Sequence, residues 1–543
     1  MEAKGLMDAG KTRSHMWRVP ARGRRSRLVD FSCVLFALVS FDAARAQFFE
    51  RALVLQGARL VTMAGEPIEE GTVIVKGGRI MQIGSKVDAP FLSKKINVTG
   101  RTITPGFIDA WSALGRLPGS SSADPTSLAE DAFDRYAQDA FQDAFRHGVT
   151  SVYFGASGSS GITGMGVVIR LVPGGGGAIG EVVSKDAALC INLDSGALVV
   201  SRLKTYRSVR KQFKDALDYR QALEDYEEEL EEYLKKLEER AKEKDEGDKK
   251  EDAEGGDAEE DDDNDDEKDD DESTPDDEPS PSPPQPEPPK DAVDKSTTSV
   301  KGAASRDVSS LDTDGDDEEK ENGDEEDDEK KEGEDEEELE KPTEPSPDRK
   351  SDVLLRAIDH EMPVRITAHR SADILNALAF ADEFNLDIII EGATEARFVA
   401  DQLAEARVPV VLGPTLRTGS YVDNEFRRHA RNTGDALSEA GVQWTVTSGG
   451  QSPAAARFVG IVAQLAAAHN RKTSDWLRLV TTDAAKILGL SNRSGRLVRG
   501  GQADFVVWSG DPSDPSSKVE QVYVAGQLAY EAQRTSTPPG GGR

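Results

Sequence analysis

Three carboxylates that follow apolar runs could do acid–base chemistry. The run "TITPGFIDAWSALG", Thr102–Gly115, reaches Asp109, and "DIIIEGATEA" presents Glu391 and Glu395 in a similar way. Two carboxylates at a suitable separation can protonate a leaving group and activate water without a metal. This hypothesis needs a separation that the sequence alone does not define.

Histidine, a common metal ligand, is scarce. Of six histidines only His369 follows a strand pattern, "VRITAH"; the others are His15, His147, His360, His429 and His469. One histidine does not hold a catalytic zinc, so a hydrogen-bonded structural role beside Arg370 is favoured over a ligand role. His147 follows a helical pattern, and we expect it to cap that helix at its C-terminal end.

Other patterns for bound ions or disulfides are weak. The glycine-rich stretch Gly155–Gly166 could cradle an anion, but it lacks the Lys-Ser/Thr of a P-loop and is interpreted as a loop. The acidic run Asp261–Glu272 resembles a calcium loop, except that Asp266 replaces the glycine needed for its turn. Cys33 lies in a segment that we expect to be removed, so Cys190 has no disulfide partner.

The elements that would position these residues alternate between strand and helix. "VTSVYFG", "MPVRITAH", "LDIIIEG" and "VPVVLGP" read as strands, and amphipathic helices lie between them. This order predicts a parallel β/α sheet or barrel. Short strand patterns recur near both chain ends, with a hairpin turn at Gly77–Gly78, and predict one small β domain built from both ends.

An insertion interrupts this alternation. Residues 207–244 read as a long charged helix in which Val209, Ala216, Leu223, Leu230 and Leu237 fall seven apart. The spacing fits either a coiled-coil partner or a surface helix that lays one stripe on the barrel. Residues 251–350 hold 45 acidic and 11 basic residues and no Phe, Trp or Tyr, so we expect them to be disordered. The rest of the chain has balanced charge and no basic face for nucleic acid.

The N-terminal residues resemble an export signal. Several arginines precede the uncharged apolar run Phe31–Phe41, and Ala44-Arg45-Ala46 offers a cleavage site. We therefore expect a mature chain that begins near Gln47 and lies outside the cytoplasm; the alternative is an uncleaved anchor, the only case in which we expect membrane contact. The domain prediction places the signal at 1–46, the β domain at 47–104 and 496–532, the barrel at 105–204 and 351–495, the charged helix at 205–250, the acidic insertion at 251–350 and a flexible tail at 533–543.

Two long motifs resemble the amidohydrolase superfamily, in its imidazolonepropionase-like branch. They are "GGRIMQIG" with "GRTITPGFIDAWSALG", and "VTTDAAKILGLSNRSGRLVRGGQADFVVWSGDP" near the other end. The resemblance implies an α/β fold, a (β/α)8 TIM-like barrel with a β-sandwich made by both chain ends. It also implies a zinc-type divalent metal that activates water for hydrolysis of C–N bonds in small or cyclic amides.

The metal-ligand positions implied by the resemblance are substituted. Trp111 and Ala113 stand where the first strand would carry two histidines, and Thr367, Glu391 and Gly449 stand at three further functional positions. Lys185 is the nearest candidate for the bridging lysine of the family.

Three functions remain open, in this order. The first is a metal-free, non-catalytic homologue that binds a small molecule or protein. The second is an active C–N hydrolase with a rearranged site that uses His369, Glu391 and Asp109, and only this alternative requires zinc or another divalent metal. The third is an extracellular scaffold that works through its acidic insertion. A homo-oligomer is compatible with each of them.

Overall fold

The computed structural model describes residues 51–121, 123–193, 199–254, 339–415, 432–450, 452–468 and 475–533. The chain divides into two compact units, residues 1–226 with 344–543, and residues 227–343. The predictions for the signal, for His15, Cys33, His429 and His469, and for nearly all of the acidic insertion lie outside the described residues. Among the described helices, none is long and apolar enough to cross a membrane.

Sixteen strands and nine α-helices carry the fold of the described residues. The strands are β1 (Leu53–Leu60), β2 (Ile68–Lys76), β3 (Arg79–Gly84), β4 (Lys94–Asn97), β5 (Thr102–Pro105), β6 (Phe107–Ser112), β7 (Val149–Phe154), β8 (Gly161–Pro173), β9 (Ile179–Asn192), β10 (Val364–Ala368), β11 (Ile388–Gly392), β12 (Val410–Leu412), β13 (Trp444–Val446), β14 (Phe505–Trp508), β15 (Val519–Val524) and β16 (Gln527–Glu531). The helices are α1 (Gln138–Arg146), α2 (Val199–Glu254), α3 (Arg349–Ile358), α4 (Ser371–Phe384), α5 (Ala400–Glu405), α6 (Thr433–Glu439), α7 (Val459–Ala467), α8 (Asp475–Leu479) and α9 (Thr482–Ile487).

The predicted β domain from both chain ends is confirmed. Strands β1–β5 and β14–β16 form one hydrogen-bonded sheet in the order β16-β15-β14-β5-β1-β2-β3, and β4 pairs with β1. The β2–β3 hairpin turns at Gly77 and Gly78, both with positive φ, as the sequence predicts. The core of the sheet includes Phe505 and Tyr523, whose rings stack with centroids 4.8 Å apart.

The predicted barrel is also confirmed. Strands β6–β13 form a second eight-stranded sheet, in which β8 is antiparallel to both β7 and β9 and all other pairs are parallel. Its first and last strands meet through Asp109, whose Oδ1 accepts hydrogen bonds from Ser448 N at 3.0 Å and Thr447 Oγ1 at 3.1 Å. These contacts bring the two edges of the sheet together.

The glycine-rich stretch is only partly a loop, so the interpretation of Gly155–Gly166 as a loop is wrong for its second half. Residues from Gly161 onward belong to β8. A β-carbon on Gly164 would clash with the Ser127 carbonyl, and one on Gly166 with the hydroxyl of Tyr153. The glycines therefore allow a strand to pass close to its neighbours.

The helices refine two sequence predictions. His147 follows α1, and its Nδ1 lies 2.7 Å from the Asp143 carbonyl oxygen, which confirms its role at the helix end. Helix α2 buries Val209 and Ala216 in the barrel core, with Phe213 against Phe380 at 5.1 Å, so this part of α2 is the predicted surface stripe. The coiled coil farther along α2 stays a prediction.

Candidate ligand site at the barrel mouth

The substituted ligand positions meet at one end of the barrel. Trp111, Thr367 and Glu391 lie near the carboxyl ends of β6, β10 and β11, and Gly449 follows β13. The carboxyl ends of parallel barrel strands share one face, which is where active sites of this architecture form. Ala113 is fully buried just beyond β6.

A cavity of about 250 Å³ opens at this face. Its lining includes Trp111, Arg116, Cys190, Asn192, Thr367 and Glu391, together with the backbone of residues 155–158. The lining combines one large ring with a cation, a carboxyl group and several amide or hydroxyl groups. The lining is therefore more polar than that of most small-molecule pockets, with Trp111 as its one large apolar surface.

The floor of this cavity holds a buried ion pair between Arg365 and Glu391. Both side chains are almost fully buried, and Arg365 Nε donates to Glu391 Oε1. Arg365 Nη2 donates to the Ala110 carbonyl at 2.7 Å, and the guanidinium lies over the Tyr153 ring at 3.8 Å from its centroid. Burial raises the pKa of Glu391, and the charge of Arg365 opposes that rise.

The ion pair also separates two cavities. Arg365 lines a second cavity of about 440 Å³ together with Pro363, Leu386 and Val408. These three residues precede β10, β11 and β12, so the second cavity lies at the amino ends of the strands. Arg365 and Glu391 therefore close the barrel interior between its two faces.

Asp109 is engaged in closing the barrel. It is fully buried, and besides the bonds from Ser448 N and Thr447 it accepts one from Ser448 Oγ. Burial raises the pKa of Asp109, and these neutral donors lower it. Its oxygens join the first strand to the last, which explains a buried carboxylate without a catalytic role.

His369 and Glu395 serve the start of α4. The buried His369 accepts a hydrogen bond at its carbonyl from Glu395 N at 3.0 Å, and a β-carbon on Gly392 would lie 2.6 Å from its ring. Glu395 accepts from Ser371 N at 3.0 Å and Ser371 Oγ at 3.1 Å. The carboxylates Asp109, Glu391 and Glu395 thus each have separate hydrogen-bond partners.

These residues do not fit a metal centre of the implied kind. Within the described part of the chain, no three His, Cys, Asp or Glu side chains form a group that could hold a metal ion. An indole at Trp111 and a methyl group at Ala113 supply no ligand, and Glu391 already faces a cation. Lys185 is exposed and lies 3.8 Å from Glu130, so it does not bridge a metal pair at this site.

Sequence reasoning missed three residues of the site. Arg116 donates to the Gly450 carbonyl at 2.7 Å and the Gly155 carbonyl at 2.9 Å, while its buried Nε has no hydrogen-bond partner among the described residues. Cys190 Sγ lies 3.1 Å from Tyr153 Oη, and burial, followed by the charge of Glu391, raises the pKa of Cys190 to about 11. Arg365 could have been identified from the sequence, because it is a charged residue inside the otherwise uncharged strand pattern "VRITA".

Comparisons with known proteins agree with this fold. A model of the amidohydrolase family matches residues 352–530. The solved structure of an amidohydrolase from Thermotoga maritima is 23% identical with a TM-score of 0.57, and the match covers 88% of this chain and 100% of that chain. A putative prolidase from Bifidobacterium longum is 12% identical with a TM-score of 0.45, covering 89% of this chain and 95% of that chain. No curated protein sequence matches. Residues 352–530 are therefore similar to the amidohydrolase family, and the barrel has the fold of the amidohydrolase from Thermotoga maritima.

Proposed function

We propose that this chain is a non-catalytic amidohydrolase homologue that binds a small polar molecule at the barrel mouth. The observation that carries the proposal is the buried Arg365–Glu391 pair. A guanidinium supplies positive charge to the carboxylate at a position where the family resemblance implies a metal ligand. Fold alone does not confer activity, so the side chains at the mouth decide the function.

A metal at Glu391 would have to displace Arg365. Separating the partners of a buried ion pair is destabilising, because an uncompensated charge stays in the interior. Arg365 is also held by the Ala110 carbonyl and the Tyr153 ring, which oppose its movement. A divalent cation therefore gains one carboxylate at the expense of three favourable contacts of the arginine.

The lining indicates the chemistry of the ligand. The indole of Trp111 offers an apolar plate, and Arg116 offers a buried Nε–H that an acceptor oxygen could satisfy. Charge-assisted bonds between a guanidinium and a carboxylate are among the stronger hydrogen bonds in proteins. We therefore expect a small carboxylate or amide whose oxygen contacts Arg116 and whose apolar part rests on Trp111.

Zinc analysis and ligand titration test this proposal together. The full chain and a matched variant lacking residues 251–350 are incubated with zinc, and loosely held metal is removed by gel filtration. We expect neither chain to retain stoichiometric zinc. A panel of small carboxylates and amides is then titrated by calorimetry against the parent chain and against Trp111→Ala and Arg116→Met. We expect binding that both substitutions weaken.

One zinc retained by both chains would contradict the proposal and favour the rearranged hydrolase. Its specific support is Glu391, a cavity carboxyl group with a raised pKa that could act as a general acid. Turnover of cyclic amides that Glu391→Gln abolishes would then establish that alternative. Zinc retained only by the chain with residues 251–350 would place the metal in the acidic insertion.

Export is proposed on the sequence of residues 1–46 alone. Cell fractionation and N-terminal sequencing test it, and we expect a chain that begins near Gln47 outside the cytoplasm. A chain found only in the cytoplasm with an intact N-terminus would contradict export.

A further inference from the structure

An exposed apolar loop tip lies between β3 and β4. Phe91 is 93% exposed and Leu92 is 60% exposed. Leu92 has φ +66°, a left-handed conformation that a branched side chain rarely adopts. Large apolar side chains held in solvent by such a backbone often mark a contact surface rather than a packing defect.

The base of this loop is packed. Val87 and Ala89 contact a small buried cluster formed by Ala52, Val54 and Ile74. Strand β4 follows at once and pairs with β1 from Lys94 onward. Both ends of the loop are therefore packed against the sheet, and only the apolar side chains of its tip extend into solvent.

Four cations lie at the same end of the sheet as the tip. Leu53 pairs with both Lys94 and Val75, so Lys94 and the β2–β3 turn lie at the same end of the sheet. Arg79 in that turn donates to the Gly500 carbonyl at 3.0 Å, which places Arg499 beside it. We call this surface the basic end; it comprises Lys76, Arg79, Phe91, Leu92, Lys94 and Arg499. Its four cations form no ion pair with any described residue.

We infer that the basic end docks on a membrane surface that contains anionic lipids. Lysine and arginine are attracted to anionic headgroups, while Phe91 and Leu92 can enter the boundary between headgroups and acyl chains. A carboxylate-rich protein surface could attract the cations, but it would not explain the two solvent-exposed apolar side chains at the same end of the sheet. The combination of both features favours a lipid surface.

The point at which the chain enters the fold also favours a membrane surface as the partner. The carbonyl of Ala52 accepts a hydrogen bond from Lys94 N at 2.8 Å, so the chain enters the fold at the basic end. The apolar run Phe31–Phe41 ends 11 residues before Ala52 in the sequence. A stable peripheral anchor usually needs two signals. Only a chain that keeps this run would have the second signal at the same end; in a chain cleaved near Gln47 the basic end would act alone.

The acidity of the whole chain does not exclude this contact. The excess negative charge belongs to residues 251–350. Within the loop itself Asp88 is the single acidic residue.

Vesicle flotation with the full chain tests the inference. Parent and variants carry Leu35→Glu and Leu38→Glu, so that the N-terminal apolar run cannot insert. The probes are phosphatidylcholine vesicles with and without phosphatidylglycerol, at low and high salt. The variants are Phe91→Ser with Leu92→Ser, and Lys76→Glu with Lys94→Glu. Leu375→Ser with Leu465→Ser is the matched control, because both of these leucines are 42% exposed and lie on barrel helices.

We expect the parent to float with the anionic vesicles and less so at high salt. Removing Phe91 and Leu92 should weaken partitioning about tenfold or more, the charge reversal should abolish it, and the control should match the parent. Equal binding to neutral vesicles, or unchanged binding after removal of Phe91 and Leu92, would overturn the inference. A lower unfolding temperature with unchanged binding would also overturn it, since the tip would then contribute to folding rather than to binding.

Discussion

Two buried arginine–carboxylate pairs stabilise different parts of this molecule. In the first, Arg170 of β8 meets Asp504 beside β14, with Nε to Oδ2 at 2.7 Å and Nη2 to Oδ1 at 2.6 Å. Asp504 also accepts from Ala525 N at 2.7 Å. In the second, Arg365 makes one contact with Glu391 in the barrel interior.

The surroundings of the two pairs differ more than their burial does. The Arg170–Asp504 pair joins the barrel to the sheet of the chain ends, and its carboxylate is satisfied by protein donors on both oxygens. The Arg365–Glu391 pair instead has a cavity on each side. The enclosed Arg170–Asp504 pair, with two hydrogen bonds, is suited to holding two domains together. In the Arg365–Glu391 pair, which lies between cavities, either side chain can replace its partner with a bound ligand.

Asp504→Ala should give the largest effect. It leaves Arg170 buried without its carboxylate, which should lower the free energy of unfolding by about 3–5 kcal/mol. Chemical denaturation followed by tryptophan fluorescence measures this. Asp504→Asn keeps the shape and one acceptor and should cost less. A loss below about 1 kcal/mol for Asp504→Ala would mean that the pair does not hold the two domains together.

Glu391→Ala should cost less, about 1–3 kcal/mol, because water can reach Arg365 through the cavities. Acetate should restore part of the lost stability by placing a carboxylate beside Arg365. The same titration on Asp504→Ala is the control and should show no recovery beyond that of the parent. Equal recovery in both variants would remove the distinction between an open and an enclosed pair.

Asp109→Asn should change the pH dependence of stability. Burial raises the pKa of Asp109, so the native chain keeps a proton that the unfolded chain releases near its ordinary pKa. The stability from this group is therefore complete below about pH 4 and is lost as the pH rises through the folded pKa. Because asparagine does not titrate, the parent should lose stability relative to Asp109→Asn as the pH rises above about 4. A difference that is independent of pH, measured by denaturation across this range, would contradict the raised pKa.

The effect of Glu391→Gln on the alkylation rate of Cys190 should be the smallest of the four. In a chain with Cys33→Ser, the pKa of about 11 leaves at least about a hundredfold less thiolate at pH 8 than an ordinary cysteine has. Iodoacetamide should therefore react slowly in the native chain and fast in denaturant. Glu391→Gln removes the second cause of the raised pKa and should speed native alkylation by at most about tenfold. A native rate equal to the denatured rate would mean that the cavity does not shield the thiol.

Local patterns were sufficient for the fold, and long-range contacts were needed for the site. The turn glycines at Gly77–Gly78 and the alternation of strands and helices are local signals, and both elements formed as predicted. The β8–β9 hairpin was missed because its glycines suit a loop as well as a strand that passes close to Tyr153. The substitutions at two ligand positions that the family resemblance implies could be read from Trp111 and Ala113. The contact between Arg365 and Glu391 could not be predicted from the sequence, because it depends on the register of β10 and β11.

The position of the insertion divides the barrel into two equal halves. Four barrel strands precede it and four follow it, and the halves meet at the β9–β10 ladder and at the Asp109 contacts. A protease cut between residues 255 and 338 would sever no strand pairing described in the fold. The two fragments share a core and the Arg365–Ala110 contact, so they should remain associated as a nicked dimer of complementary half-barrels.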